Sequence, residues 1–144
     1  MILYLDTTAF LKLYVAAQES PAMHVASASA QAMYTHSLAY AEIRAGLAKA
    51  VREKYITATA LPGLISTFEE DWARLRIVQA SEALIRRAGD LAQGFGLRGH
   101  DSIHLAAAEA VGRALPEMDY RLALLDGKLA DAARGLGMNV LNIR

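Results

Sequence analysis

Two short apolar runs in this chain each end in an aspartate and then give way to helical spacing. Ile2–Leu3–Tyr4–Leu5 closes on Asp6, and Arg121–Leu122–Ala123–Leu124–Leu125 closes on Asp126. A run this short without a polar face reads as a strand covered on both sides. Ala9–Phe10–Leu11–Lys12–Leu13–Tyr14–Val15 turns helical behind the first acid, and the stretch after Gly127–Lys128 does so behind the second. A buried strand followed by a helix, recurring along a chain, is the unit of a parallel sheet with helices on its faces. Its strand tips are the preferred place for sites in open α/β sheets, and Asp6 lies at one; the alternative is that Asp6 only caps the helix behind it.

The chain between these runs keeps the alternation. Ser20–Pro21 is a cap followed by proline at a first helical position, and the spacing predicts a helix through about Met33. Tyr34–Thr35–His36–Ser37 reads as a second strand. A helix follows from Leu38, with Tyr40, Ile43, Leu47 and Val51 three and four apart and Glu42 outside that apolar set. Thr59–Ala60–Leu61–Pro62–Gly63 punctuates the chain before a helix over Leu64–Leu75, and Arg76–Ile77–Val78–Gln79 reads as a third strand. Ser81 caps a helix expected to run through Leu91. Gly94, Gly96 and Gly99 then loosen the approach to His100–Asp101, where an alanine-rich helix begins with Asp101 in its first turn. Leu115–Asp119 is a turn, and Met138–Ile143 is expected to be a last strand. The expectation is a three-layer α/β/α fold with a central, mainly parallel sheet, residues 1–144 forming one domain.

Composition narrows the function classes. The chain is 54% hydrophobic and 21% charged, which is globular. It has no cysteine, so disulfides, thiolate metal sites and cysteine nucleophiles are excluded. Fifteen acidic residues balance fifteen basic ones, and no global positive field announces a nucleic-acid partner. The start has no basic leader or cleavage signal, and no segment approaches a membrane span, so a soluble cytoplasmic protein is expected. The glycines before Asp101 lack the GxxxxGK[ST] order of a phosphate loop.

Chemistry is concentrated in four acids. Asp6 and Asp126 end strands, while Glu42 and Asp101 lie near helix starts, so a parallel sheet can bring all four to one edge. Unpaired carboxylates there repel and raise each other's proton affinity. Magnesium or manganese, one ion or two, offsets that repulsion through oxygen ligands and suits phosphodiester hydrolysis. The competing reading is that the acids belong to solvated faces.

Taken together, Tyr4–Leu5–Asp6–Thr7–Thr8–Ala9, Leu38–Ala39–Tyr40–Ala41–Glu42–Ile43, Leu97–Arg98–Gly99–His100–Asp101–Ser102–Ile103–His104–Leu105–Ala106 and Leu124–Leu125–Asp126–Gly127–Lys128–Leu129 resemble a PIN-domain ribonuclease of the VapC toxin type. The resemblance covers essentially the whole chain and keeps the order of all four motifs. It implies a PIN-like α/β/α domain and a metal-dependent endoribonuclease that cuts structured RNA, often transfer RNA. It also implies silencing by a cognate VapB-like antitoxin, a homodimer and higher-order toxin–antitoxin complexes. By position, Asp6, Glu42, Asp101 and Asp126 become the metal-binding carboxylates, and Thr8 the hydroxyl near the first. Proteins of this type commonly carry serine or threonine two positions before the last acid. Leu124 stands there in this chain, which leaves Asp126 the least supported of the four. Asp119 is a poorer substitute, because it precedes the strand.

Four cations near the motif ends, Lys12, Arg44, Arg98 and Lys128, are candidate phosphate contacts. His100 is a candidate to support the acids or face RNA. His100 and His104 are four apart, but without HExxH or thiolates they do not make a zinc site, and Ser102 has no serine–histidine–acid constellation. Tyr4 and Tyr40 are expected in or near the core. Two other functions fit the acids: a metal-dependent hydrolase of another phosphate ester, and a catalytically weak module that binds RNA or protein.

Overall fold

The computed structural model describes residues 1–15 and 20–143. β1 (Ile2–Leu5) is buried along its whole length and lies inside a sheet, with β2 (Ala32–His36) on one side and β4 (Tyr120–Ala123) on the other. β3 (Arg76–Val78) extends the sheet beyond β2, giving the order β3-β2-β1-β4 with every pairing parallel. The register sets Tyr4 opposite Tyr34 and Leu122, and Leu5 opposite Ala123.

Because successive strand residues face opposite ways, β1 feeds two cores. Leu3 and Leu5 meet α1 (Thr7–Leu11), α2 (Pro21–Ser29), α3 (Ala39–Arg52) and α4 (Leu61–Arg74). Tyr4 meets α5 (Glu82–Phe95), α6 (Gly99–Ala114) and α7 (Gly127–Gly135). The second core is filled from α6 by Leu105, Ala106, Ala107 and Ala108 and from α7 by Leu129, Ala130, Ala132 and Ala133. Small side chains there let helix backbones approach the sheet closely. The result is the three-layer α/β/α arrangement expected from the alternation of strands and helices.

Several boundaries differ from the sequence reading. α2 ends at Ser29, not near Met33, because Ala30 turns extended and Gln31 N–H bonds to Met1 O at 2.9 Å. Ala32 and Met33 then pair with Ile2 and Leu3, so sheet pairing overrides a stretch that is locally good helix. α4 starts at Leu61 and keeps Pro62 in its first turn, where a missing N–H costs nothing. α5 continues to Phe95 and stops at Gly96, whose φ of 65° is the left-handed conformation that glycine adopts without penalty. Gly99 opens α6 instead of breaking the chain before it. The expected last strand is reduced to one parallel bridge, Leu122 to Val140, held by Leu122 N–H to Asn139 O and Leu141 N–H to Leu122 O, both 2.8 Å. Beyond it, Ser20 Oγ donates to Ile143 O at 2.7 Å, so the end of the chain is held against the start of α2.

Candidate active site

All four acids lie at the amino ends of helices. Asp6 is the N-cap of α1 and Asp126 that of α7, their Oδ1 atoms accepting from Ala9 N–H at 2.8 Å and Leu129 N–H at 2.9 Å. Glu42 is in the first turn of α3, and Asp101 in the first turn of α6. The exposed N–H groups and the dipole at a helix start favour negative charge, so the fold gives each carboxylate a local reason to be there. The capping contact expected of Asp6 is thus present, and it leaves a part in a site open to the same side chain.

The acids share one electrostatic neighbourhood. Asp6 is 3% exposed. Burial pushes its carboxyl up from 3.8 to about 6, against the lowering effects of the Ala9 N–H, the His104 ring and the Leu125 N–H; the Asp101 charge adds to the rise. Glu42 is half-buried, and burial pushes it up, but His104 and the Thr7 hydroxyl together outweigh this and hold it below its usual value. Arg98 enters the cluster from the N-cap of α6: its Nε donates to Asp101 Oδ2 at 2.9 Å, and its Nη2 lies 3.8 Å from Asp126 Oδ2. Those bonds to Asp101 raise the affinity of the guanidinium for its proton. His100 Nε2 lies 3.5 Å from Asp101 Oδ1.

The remaining residues named from the sequence fall elsewhere. Thr8 is exposed on α1 and lines a cavity with Leu11, Gly46 and Lys49, while its neighbour Thr7 is the hydroxyl that reaches Glu42, at 2.6 Å. The difference is one of helical phase: adjacent residues on α1 point about 100° apart. Arg44 donates to Tyr40 Oη at 2.9 Å and sits 3.8 Å from Glu69, on the surface between α3 and α4. Lys128 on α7 sets its ammonium against Gly96. Lys12 is the C-cap of α1, at the helix end opposite Asp6. Leu124 is buried on the α7 side of the sheet, so hydrocarbon packs where a hydroxyl would have stood beside Asp126. Asp119 pairs with Arg121 at 2.9 Å.

Sequence reasoning passed over a buried polar layer beneath the acids. His104 Nδ1 lies 2.8 Å from Tyr4 Oη, and its Nε2 is 3.0 Å from Thr7 Oγ1 and 3.4 Å from Glu42 Oε1. His36, at the end of β2, accepts from Leu38 N–H through Nδ1, while its Nε2 has no hydrogen-bond partner among the described residues. Burial first, and the nearby His104 ring second, hold His36 below its usual value. The available signal was the three-residue spacing of Asp101 and His104, which puts both on one face of α6.

Among the described residues, no three His, Asp or Glu side chains are already closed to metal-binding spacing. The donors nevertheless fit a hard divalent ion by type: four carboxylates, with no sulfur. Positive charge is also already drawn to the cluster, since Arg98 bonds to Asp101 and approaches Asp126.

The sequence model of the PIN domain matches residues 3–133. The chain belongs to the PIN-domain family. Ribonuclease VapC45 of Mycobacterium tuberculosis (strain CDC 1551 / Oshkosh) is 33% identical over 139 residues, covering 96% of this PIN-domain chain and 94% of the relative. Ribonuclease VapC46 of M. tuberculosis (strain ATCC 25618 / H37Rv) is 33% identical over 140 residues, with 96% and 95% covered. This PIN-domain protein is thus closely related to the VapC ribonucleases. Two solved structures share the fold. VapBC2 from Rickettsia felis, bound to a DNA fragment from their promoter, has a TM-score of 0.62 at 16% identity, with 100% of each chain covered. FitAcB from Neisseria gonorrhoeae has a TM-score of 0.66 at 20% identity, with 99% of this chain and 97% of that one covered. No helix among the described residues is long and apolar enough to cross a membrane.

Proposed function

We propose that this chain is a metal-dependent endoribonuclease toxin that hydrolyses phosphodiester bonds in structured RNA, with transfer RNA among its candidate substrates. What supports the reading is that Asp6, Glu42, Asp101 and Asp126 all stand at helix amino ends, with the Asp101 charge acting on Asp6 and Arg98 reaching both Asp101 and Asp126, in a member of the PIN family. Asp6 and Asp101 would make the principal contacts to magnesium or manganese, Glu42 would complete the shell, and Asp126 would serve a second ion or water. The ion, when bound, supplies the positive charge that the attacking water and the leaving oxygen require. The protein's own residues do the rest. The helix amino ends fix the carboxylates, burial of Asp6 keeps its side far from bulk water, and Arg98 holds Asp101 until a phosphate offers a competing anion.

That role for Arg98 gives a measurable consequence. Arg98→Gln is expected to raise KM for RNA several-fold with a smaller change in kcat, and to flatten the salt dependence of binding by about one unit of slope, as for loss of one phosphate contact. An unchanged salt slope would remove Arg98 from the RNA interface.

An antitoxin of the VapB kind would silence the enzyme by covering these acids and offering a basic side chain to the carboxylates. The similarity to complexes such as VapBC2 and FitAcB supports a partner of that class, and a homodimer within a larger toxin–antitoxin assembly is the proposed state. The test is end-mapped cleavage of total cellular RNA by purified, antitoxin-free protein with magnesium or manganese. Discrete cuts lost in chelator support the nuclease; a folded, metal-loaded protein that makes none is a binding module instead.

A further inference from the structure

His104 is 1% exposed, lies one helical turn beyond Asp101, and has no part in the chemistry assigned to the four acids. The directions of its hydrogen bonds follow from Thr7. The Thr7 hydroxyl has one hydrogen and donates it to Glu42 Oε1 at 2.6 Å. Toward His104 Nε2, at 3.0 Å, it can therefore only accept, so Nε2 carries the ring hydrogen. In the neutral imidazole that leaves Nδ1 as an acceptor, and Tyr4 Oη, at 2.8 Å, donates to it. The bonds run in one direction, from Tyr4 to His104 to Thr7 to Glu42, with each hydrogen used once. They end on a carboxylate, which needs none.

We propose that His104 is a positioning residue which, through the Thr7 hydroxyl, fixes the Glu42 carboxylate at the acid cluster without touching substrate itself. The need for such a device is visible at α3. Its N-cap, Leu38, offers no side-chain bond, and Glu42 is a long side chain that is 28% exposed. Left alone it would sample several rotamers, and its ordering would have to be met when substrate binds. The relay meets it in the folded protein. It also joins the elements that carry the acids: Thr7 adjoins Asp6, and His104 rides on the helix of Asp101. Tyr4, wholly buried in β1, anchors the far end.

The proposal rests on the nuclease reading only for its effect on rate, so two kinds of measurement are made on the full chain. Thr7→Val keeps the branched shape and removes the hydroxyl, Thr7→Ser restores it, His104→Leu removes the donor, and His104→Gln keeps one near the Nε2 position. Thr7→Val and His104→Leu are expected to lower kcat on RNA about 10- to 100-fold with KM little changed, as for residues that orient ligands. Thr7→Ser and His104→Gln recover most of the loss. Wild-type kcat in folded Thr7→Val, or no recovery in Thr7→Ser, overturns the proposal.

The second measurement needs no activity. Ring ¹⁵N shifts should show Nε2 of His104 protonated, and side-chain couplings should show Glu42 in one rotamer that becomes averaged in Thr7→Val. A bare Nε2, or Glu42 couplings that are already averaged in the wild type or unmoved by Thr7→Val, overturns the relay. A wild type that cuts no RNA overturns the nuclease reading instead, and these spectra then decide the relay alone.

Discussion

Asp6→Asn is expected to abolish RNA cleavage and, in the same protein, to raise stability at neutral pH. Residues that merely orient a ligand cost about 10- to 100-fold when lost, so a carboxylate proposed to contact the ion itself should cost more than about 100-fold. Asp101→Asn is expected to do the same to activity. The stability effect is specific to Asp6. Its carboxyl is buried, and its pKa is raised from 3.8 to about 6. A raised carboxyl favours the folded state while it is protonated, below about pH 4, and loses that contribution as pH rises through about 6. Above that range the fold carries a buried charge whose cost is on the order of 3 kcal/mol at most, taking about 1.4 kcal/mol per unit. Asparagine removes the charge and still caps α1, because its side-chain oxygen accepts from Ala9 N–H as the carboxylate does. Urea unfolding in chelator should therefore show Asp6→Asn more stable than wild type at pH 7.5, the difference closing near pH 4. Full activity in both single variants would end the assignment of these acids. A stability difference that ignores pH would show that Asp6 is not held as a costly charge.

The positions of three of the acids at element ends were legible in the sequence, because local patterns meet there. Asp6 and Asp126 follow short apolar runs, and Asp101 opens an alanine-rich helical face; those patterns are local, and both runs enter the sheet as paired strands, although β4 spans Tyr120–Ala123 and stops two residues short of the expected Leu125. What was illegible depends on contacts far apart in the chain. No residue near Ser29 says that α2 must stop, since the stop comes from Ala32 and Met33 pairing with Ile2 and Leu3. The choice between Thr7 and Thr8 turns on the phase of a five-residue helix, which is set by Phe10 and Ala9 entering the core. From the sequence, His104 entered only as half of a His–x3–His pair that does not make a zinc site. The contacts of its two nitrogens come from Tyr4 and Thr7, 100 and 97 residues away, which no local pattern shows. Among the four cations named from the sequence, only Arg98 aims its guanidinium at acids of the cluster, and that depends on the turn that starts α6.

Phe68→Ala should produce the largest loss of stability, about 3–5 kcal/mol, because a fully buried aromatic is removed and its neighbours cannot close the space. Phe68 is the one fully buried residue of α4, and the rings of Phe10, Tyr14, Tyr40 and Trp72 surround it with centroids 5.4–5.9 Å away. Against a total of about 5–15 kcal/mol for an ordinary domain, that is a substantial share. Phe68→Leu keeps most of the volume and should cost about 1.5 kcal/mol or less. Urea midpoints with unchanged slopes would measure both. The aromatic cluster reaches the acids because two of the ring partners belong to elements that carry them: Phe10 lies on α1 behind Asp6, and Tyr40 on α3 just before Glu42. When the cluster is hollowed, α4 loses the side chain that ties it to both helices, and the two carboxylates lose their common support. Phe68→Ala protein kept folded at low temperature should therefore cleave more slowly than Phe68→Leu, with kcat reduced more than KM is raised. Equal kcat in the two folded variants would show that the aromatic cluster holds the fold together without setting the geometry of the acids.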